Sequence, residues 1–328
     1  MKGRRAMKKS KLVFIALLLS GGAFAWKARL EDRSIPSKLI ELILKLVPFK
    51  NPETKKEMEK ARLKSAKPFI LSSSLKKKYL AEPSEHYRDT YILESKTNHS
   101  DTIILYFHGG AYWYQPAFVH FKFVRKLVDK TNSTAIFPIY PKAPAYTVED
   151  VYQMIYPMYK DLIENQHISP ENVIFMGDSA GGGLALALAE YLKTKNMPAP
   201  RDIIMISPWL DLSNNNPEIE KIEPLEPLLN KDRTRKMAEV YAGNLSVKDF
   251  RVSPIWGDFS NTGHISIYQG THDLHVADSR KLAALAKERG IPLDYYEYPK
   301  MNHIFPLLPI PEAEDAVNKI VKTINRSC

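Results

Sequence analysis

Short apolar runs alternate with longer amphipathic stretches from about residue 100 to the end of the chain. A short apolar run is typical of a buried strand, and apolar residues at helical spacing are typical of an amphipathic helix. The runs predict strands at residues 102–107, 134–139, 173–176, 203–206, 265–268 and 293–298, and the stretches predict helices at 118–130, 148–164, 181–195, 279–289 and 312–324. Strands that alternate with helices predict an α/β fold, with a mostly parallel central sheet flanked by helices.

Two regions depart from this alternation. Residues 26–75 are predicted to be helical, with helices at 38–47, which carries an apolar stripe, and 53–66. Residues 212–250 contain three prolines and then a predicted helix near 232–241. Neither region is long enough to be an independent domain. We expect both to form a helical cap over the strand ends, where ligands bind in open α/β sheets. Residues 26–328 are thus predicted to be one domain.

The formal net charge of +10 is concentrated at the N-terminus. Residues 1–25 contain six basic residues and no acidic residue, which leaves +4 on the rest of the 328-residue chain. Basic and acidic residues are interspersed in that remainder, so the charge does not indicate a nucleic-acid-binding surface. We expect no nucleic-acid partner.

Residues 1–25 have the pattern of a targeting segment. Basic residues precede an apolar run at 12–19, and Ala23-Phe24-Ala25 fits the small-x-small site of signal peptidases. The segment is predicted to be either a cleaved signal peptide or a retained membrane anchor. In both cases the rest of the protein is expected outside the cytoplasm, secreted or held at the cytoplasmic membrane.

The sequence does not favour a metal or a cofactor. The single cysteine is Cys328, the last residue, which leaves no internal disulfide and no thiolate metal site. His272, Asp273 and His275 lie too close together on one predicted loop to form a tetrahedral metal site.

A candidate nucleophile is Ser179 in Gly177-Asp178-Ser179-Ala180-Gly181, which lies between a predicted strand and a predicted helix. A sharp strand-to-helix turn holds a serine hydroxyl where a base and a substrate can both reach it, and small flanking residues let the backbone turn without a clash. The bare pattern also occurs in merely tight turns. Its position between strand and helix favours a catalytic serine.

A glycine loop follows the predicted strand that ends at residue 107. In His108-Gly109-Gly110-Ala111, the backbone N–H groups of Gly109 and Gly110 can approach an acyl oxygen and form an oxyanion hole with the N–H of Ala180. Taken alone, an ordinary glycine loop is an equal alternative.

The general base is predicted from chain order. In a triad built on such a turn, the acid and then the histidine follow the serine along the chain. The later histidines are His264, His272, His275 and His303, and only His303 follows the last predicted strand. We therefore predict His303 as the base.

Asp273 is the predicted acid because it closely follows the strand at 265–268. The alternatives are Asp211, which is expected to form a local turn or anchor the cap, and Asp278, which is expected to be the N-cap of a helix that begins at Ser279.

Together the motifs resemble those of the hormone-sensitive-lipase-like family of α/β-hydrolases, which includes bacterial acetyl esterases and carboxylesterases. The resemblance runs from about Thr102 to the C-terminus. It rests on His108-Gly109-Gly110-Ala111, on Gly177 to Gly182, on Ser207-Pro208-Trp209-Leu210-Asp211-Leu212, on Asp273 with Asp278-Ser279, and on Met301-Asn302-His303-Ile304-Phe305. It implies an α/β-hydrolase fold with a cap. Ala111 and Leu274 depart from the family pattern but leave the triad unchanged.

The predicted activity is that of a serine carboxylesterase that works through an acyl-enzyme. Tyr112, Trp113 and Trp209 are expected to line the acyl side of a capped pocket, which favours short- to medium-chain acyl esters as small-molecule substrates. The alternatives are a peptidase or amidase with the same triad, and a ligand-binding pseudoenzyme. The sequence leaves the natural ester and the oligomeric state open.

Overall fold

The computed structural model describes residues 25–46, 52, 54–97 and 100–326. The predicted targeting segment lies outside the described residues, apart from its last residue. Within the described ranges, no helix is both long enough and apolar enough to cross a membrane.

An eight-stranded sheet forms the centre of the molecule, in the order β1-β2-β4-β3-β5-β6-β7-β8. The first three strands in this order pair antiparallel, and all later neighbours pair parallel. The strands are β1 Ala81–Pro83, β2 Thr90–Leu93, β3 Ile103–Phe107, β4 Thr134–Pro138, β5 Val173–Asp178, β6 Asp202–Ile206, β7 His264–His272 and β8 Leu293–Asn302.

Helices cover both faces of the sheet. They are α1 Ile35–Leu44, α2 Lys55–Ser65, α3 Ser73–Tyr79, α4 Phe118–Thr131, α5 Val148–Glu164, α6 Ala180–Thr194, α7 Ile219–Ile222, α8 Lys231–Ala242, α9 Val276–Arg289 and α10 Pro311–Ile324. Apolar residues of α5, α6 and α9 form the core on one face, and those of α4 and α10 form the core on the other. The prediction of an α/β fold with a mostly parallel sheet flanked by helices is confirmed.

The structure differs from the sequence prediction at several elements. The two antiparallel strands β1 and β2 were not predicted, because three and four residues are too few to show an alternation. Strands β7 and β8 extend four residues beyond the predicted ends. Helix α9 begins at Val276, so Asp278 lies inside its first turn and the prediction of Asp278 as an N-cap is wrong. The carbonyl of Asp273 starts this turn by accepting from the N–H of Val276.

The first turn of α6 packs directly onto the ends of two strands. A Cβ atom at Gly181 would lie 1.9 Å from the Phe107 carbonyl oxygen, and one at Gly183 would lie 2.1 Å from that of Trp209. Both neighbours are backbone atoms, which cannot move aside as a flexible side chain can. The glycines therefore let α6 approach the sheet closely just after Ser179.

We expect Gly181→Ala to lower the free energy of unfolding by about 3 kcal/mol, since the added methyl group forces α6 away from β3. Urea denaturation followed by circular dichroism measures the change. Gly290→Ala is the matched control, because its φ of 67° is unfavourable for alanine but no atom lies within 4 Å of the added Cβ. That variant should lose only about 1 kcal/mol. Equal losses in the two variants would contradict the steric explanation.

Candidate active site

Ser179 occupies the turn between β5 and α6 in a strained conformation. Its φ of 54° and ψ of −122° lie outside the regions that non-glycine residues favour. The end of β6 and the segment after it hold the turn: the Ser179 N–H donates to the Ile206 carbonyl at 2.8 Å, and the Ser179 carbonyl accepts from the Trp209 N–H at 3.0 Å. The backbone of the predicted nucleophile is thus fixed relative to the sheet.

A cavity of about 230 Å³ opens beside Ser179. His303, Gly109 and Gly110 contribute to the same wall, so the cavity joins four of the predicted site residues. The remaining lining residues are Ala111, Tyr114, Gln115, Ala117, Val119, His120, Asp178, Leu228, Leu229, Arg233, Thr234, Met237 and Ile304.

The predicted acid and base are paired. Asp273 directly follows β7 and His303 directly follows β8, and because these strands are parallel neighbours their carboxyl ends bring the two side chains together. His303 Nδ1 lies 3.0 Å from Asp273 Oδ2, and both side chains are buried. The Nδ1–H therefore donates to the carboxylate, which fixes the imidazole tautomer and leaves Nε2 unprotonated in the neutral form.

The charges around His303 favour its protonated form. Burial lowers the pKa of His303, but the Asp273 carboxylate at hydrogen-bond distance outweighs it, with smaller contributions from Glu226 and Asp178, and the pKa is raised overall. Burial likewise raises the pKa of Asp273, and the charge of His303 outweighs it and lowers the pKa below its usual range. The pair thus favours a negative charge on the carboxylate and stabilises the imidazolium that forms when His303 accepts a proton.

The other histidines have different partners. His264 begins β7 and lies 3.5 Å from Asp202, while His272 ends β7 with its Nδ1 3.6 Å from Glu41. His275 is buried, and its ring stacks on Trp209. Among the residues that the structure describes, no group of three or more His, Cys, Asp and Glu side chains is arranged to hold a metal.

The alternative acids are bonded elsewhere. Asp211 accepts from both the backbone N–H and the hydroxyl of Ser213, which is a local turn. Asp278 accepts from the side-chain amide of Asn216 at 2.9 Å.

Two of the predicted oxyanion donors, Gly109 and Gly110, line the cavity, and the third, Ala180, directly follows Ser179. Gly110 has a φ of 121°, which favours glycine, and it starts a turn in which Trp113 and Tyr114 donate to its carbonyl. Ala180 is the first residue of α6, where a backbone N–H has no acceptor within the helix. Gly109 lies against Asp178, and a Cβ atom there would be 2.2 Å from the Asp178 carboxylate.

A second buried carboxylate–imidazole pair lies beside Ser179 and was not identified from the sequence. His120 Nε2 is 3.3 Å from Asp178 Oδ2, and the Tyr106 hydroxyl donates to Asp178 Oδ1 at 2.6 Å. Burial raises the pKa of Asp178, but His120, Tyr106 and the Gly109 N–H outweigh it and lower the pKa. This pair holds the residue next to Ser179 against the glycine loop.

The three aromatic residues expected on the acyl side pack behind the cavity wall instead. Tyr112 is buried, stacks on Tyr241 at 3.8 Å between ring centroids, and donates to the Ala180 carbonyl. The indole N–H of buried Trp209 donates to Asn214, and that of half-buried Trp113 donates to the Met237 carbonyl. The aromatic residue that lines the cavity is Tyr114. The polar groups of Tyr112, Trp113 and Trp209 bond to the backbone or to residues 212–250. These three residues therefore support the cavity wall from behind.

Glu226 is a further residue that the sequence analysis missed. Its Oε2 accepts from the Leu274 N–H at 3.0 Å, next to Asp273, and its Oε1 accepts from the N–H groups of Leu228 and Leu229 at 2.7 and 3.1 Å. The Glu226 side chain thus connects the region of residues 212–250, which was expected to form part of the cap, to the loop that carries Asp273. Burial, with Asp273 second, raises the pKa of Glu226 to about 7, while His303 and the backbone donors oppose the shift. No periodicity marks such a contact, which spans 48 residues.

Known proteins share this fold and these motifs. A family model described as "alpha/beta hydrolase fold" matches residues 104–307. The acetyl-hydrolase of Streptomyces hygroscopicus is 30% identical over 210 residues, which cover 63% of this chain and 70% of that protein. A candidate esterase from Staphylococcus aureus is 28% identical and superposes with a TM-score of 0.79 over 85% of this chain and 95% of that chain. A hormone-sensitive lipase from a metagenome library shares the fold at 23% identity, with a TM-score of 0.74 over 89% of this chain and 98% of that chain.

The fold, with a serine at the turn between its fifth strand and the following helix, is that of an α/β-hydrolase. The chain belongs to the α/β-hydrolase family, as its match over more than half of its length shows. The predicted resemblance to α/β-hydrolases with esterase activity is confirmed, and so is the predicted enzyme class, a carboxylic-ester hydrolase.

We expect Glu226→Gln to lower the pKa of His303, because it removes a negative charge that favours the imidazolium. Histidine-selective ¹⁵N labelling and an NMR titration measure this pKa directly. At a fixed pH near neutrality, more of His303 is then neutral in the variant than in the wild type.

Glu223→Gln is the matched control. Glu223 lies in the same segment and bonds to the side chain of Asn230 and the N–H of Lys231, but the main charges that shift the pKa of His303 are those of Asp273, Glu226 and Asp178. Besides each other, Glu226 and His303 interact electrostatically with Asp178, Arg233, Asp273 and His275, and all four groups are unchanged in both variants. An unchanged His303 pKa in Glu226→Gln would show that Glu226 acts on the pair only through the backbone.

Proposed function

We propose that the chain is a serine carboxylesterase that hydrolyses short- to medium-chain acyl esters through Ser179, His303 and Asp273. The observation that carries the proposal is the Asp273–His303 hydrogen bond, because it orients an imidazole in the same cavity as Ser179. The esterases and acetyl-hydrolases among its relatives support the ester as the substrate class.

In the first half of the reaction, the Ser179 hydroxyl attacks the ester carbonyl while His303 Nε2 takes its proton. The Asp273 carboxylate stabilises the imidazolium that forms, consistent with the raised pKa of His303. The backbone N–H groups of Gly110 and Ala180 stabilise the negative oxygen of the tetrahedral intermediate. The N–H of Gly109, which was also expected to do so, donates to the Asp178 carboxylate instead. Collapse breaks the bond to the leaving oxygen, which takes the proton from His303 and departs as the alcohol.

In the second half, a water molecule attacks the acyl group on Ser179. His303 takes a proton from the water and returns it to the serine oxygen as the acid leaves. One ester and one water are thus converted to one alcohol and one acid, and the enzyme returns to its starting state.

The size and lining of the cavity support a short acyl group. Its volume of about 230 Å³ is below the roughly 300–1,000 Å³ that is usual for ligand pockets. Leu228, Leu229 and Met237 supply apolar wall from the region of residues 212–250. A chain longer than the cavity would have to displace these side chains.

We expect Ser179→Ala and His303→Ala each to lower kcat for p-nitrophenyl acetate and butyrate by about 10⁶-fold, because nucleophile and base act as a unit. Asp273→Asn should lower kcat by about 10⁴-fold, since it leaves the imidazole in the wrong tautomer.

Asp278→Asn is the control for the acid, because Asp278 is also a buried aspartate but bonds to Asn216 rather than to His303, and burial raises its pKa to about 7. It should retain most of the activity. Loss of activity in Asp278→Asn but not in Asp273→Asn would refute the triad, and faster cleavage of aminoacyl anilides than of esters would favour a peptidase.

Enlarging the apolar wall should shift the acyl preference. We expect Met237→Ala to raise kcat/KM for p-nitrophenyl octanoate relative to acetate by about tenfold, because the truncated side chain makes room for further methylenes. Met154→Ala, on α5 outside the cavity, should leave the ratio unchanged. An unchanged ratio in Met237→Ala would place the acyl chain elsewhere.

A further inference from the structure

Helix α1 has its polar side against the protein and its apolar side towards solvent. Its buried residues are Ser37, Lys38 and Glu41. Of its six large apolar side chains, Ile35, Leu39, Leu42 and Ile43 are at least 45% exposed, whereas Ile40 packs against the core and Leu44 is half-buried. This is the reverse of a surface helix in a soluble protein, which turns its apolar stripe inward.

The exposed apolar side chains continue on both sides of the helix. We define the N-terminal apolar surface as Trp26, Leu30, Ile35, Leu39, Leu42, Ile43 and Leu46, of which Leu30 is 68% and Leu46 81% exposed. These seven are half of the fourteen exposed large hydrophobic residues in the described part of the chain, although they lie within 21 positions. Exposed patches of this kind mark contact with a partner or a membrane.

The polar side of α1 is anchored in a way that fixes this orientation. Buried Arg33 forms an ion pair with Glu41, and Glu41 also lies 3.6 Å from His272. The Ser37 hydroxyl contacts the sulfur of Met301, and Lys38 pairs with Glu31 at 2.6 Å. Turning the apolar stripe inward would break this network and leave its charges unpaired.

We propose that the N-terminal apolar surface lies on the headgroup region of an anionic lipid bilayer. The charges around it fit such a surface: Lys27, Arg29 and Lys45 are exposed among the apolar residues, and Asp32 is the one exposed acidic residue between described positions 25 and 46. Apolar side chains flanked by basic ones are characteristic of helices that lie in a membrane interface.

The sequence that precedes the surface points to the same partner. Residues 1–25 contain six basic residues, no acidic residue and an apolar run at 12–19. If this segment is retained in a membrane, the chain leaves the bilayer directly at Trp26. If it is removed, a positively charged amino group begins the surface. In both cases either a membrane-inserted segment or a positive charge directly precedes the surface.

Bilayer contact would place the carboxyl edge of the sheet near the lipid. Helix α1 contacts Met301, which lies two residues before His303 in the sequence, and His272, which lies directly before Asp273. The proposal does not depend on esterase activity, since it concerns the surface alone.

Site-specific fluorescence on the full-length chain tests the proposal. Cys328→Ser removes the native thiol, and single cysteines replace Leu42 and Leu46 for labelling with an environment-sensitive NBD fluorophore. Glu288→Cys, an exposed position on α9, is the control. On vesicles of phosphatidylcholine with phosphatidylglycerol, we expect blue-shifted emission and quenching by brominated lipid at 42 and 46 but not at 288. The response should weaken with pure phosphatidylcholine and with added salt.

Three outcomes would overturn the proposal. Labels at 42 and 46 that stay in water while the protein sediments with vesicles would mean that residues 1–25 alone bind lipid. Labels that are already buried without vesicles would mean that the chain itself covers the surface, or that a second copy does if light scattering shows a dimer. Absence of any vesicle binding would also refute it. The leucines are exposed, so their replacement is expected to preserve the fold, which circular dichroism checks.

Discussion

The backbone of Ser179 is the point at which three parallel strands and a helix are joined. Its N–H is bonded to the end of β6, its carbonyl receives the N–H of Trp209, and α6 begins at the next residue. Ser179 has a φ of 54°, which costs on the order of 1–3 kcal/mol in a residue with a side chain. Because Gly181 has no Cβ atom, α6 can also approach the end of β3, and the glycine loop that follows β3 is thereby brought beside Ser179.

Buried charge is concentrated on both sides of this turn. The Asp178–His120 pair lies towards the glycine loop and the Asp273–His303 pair lies towards the ends of β7 and β8. Buried ion pairs do not stabilise a fold by themselves, because desolvation offsets the attraction. Their effect here is geometric, because each carboxylate fixes the orientation of one imidazole ring that lines the cavity. Glu226 adds backbone contacts that connect the loop of Asp273 to the region of residues 212–250.

The sequence patterns predicted most of the strands and helices and the residues that directly follow strands, because these depend on interactions between residues close in sequence. Strands β3 to β5 and the helices that follow them were predicted, because their apolar runs are short and their helices strongly periodic. Ser179, Asp273 and His303 each follow directly on a strand, so chain order was enough to nominate them. Glu226 and His120 were missed because their roles arise from contacts across 48 and 58 positions. Tyr112 and Trp209 were assigned to the pocket on aromatic character, but sequence does not show which side of a loop a ring occupies.

Helix α1 shows the limit of such reasoning most directly. A stripe of apolar residues indicates that a helix has two different sides, but it does not say which side meets the protein. In water the apolar side would be expected to face the core, yet here Arg33, Glu41 and His272 form a network that draws the polar side inward. Exposing these apolar side chains to water is unfavourable, and the proposed contact with a lipid headgroup region would remove them from water. The apolar pattern alone therefore does not determine which way an amphipathic helix faces. The surroundings of the helix also matter, and the basic residues beside the apolar stripe are the reason for proposing an anionic lipid surface.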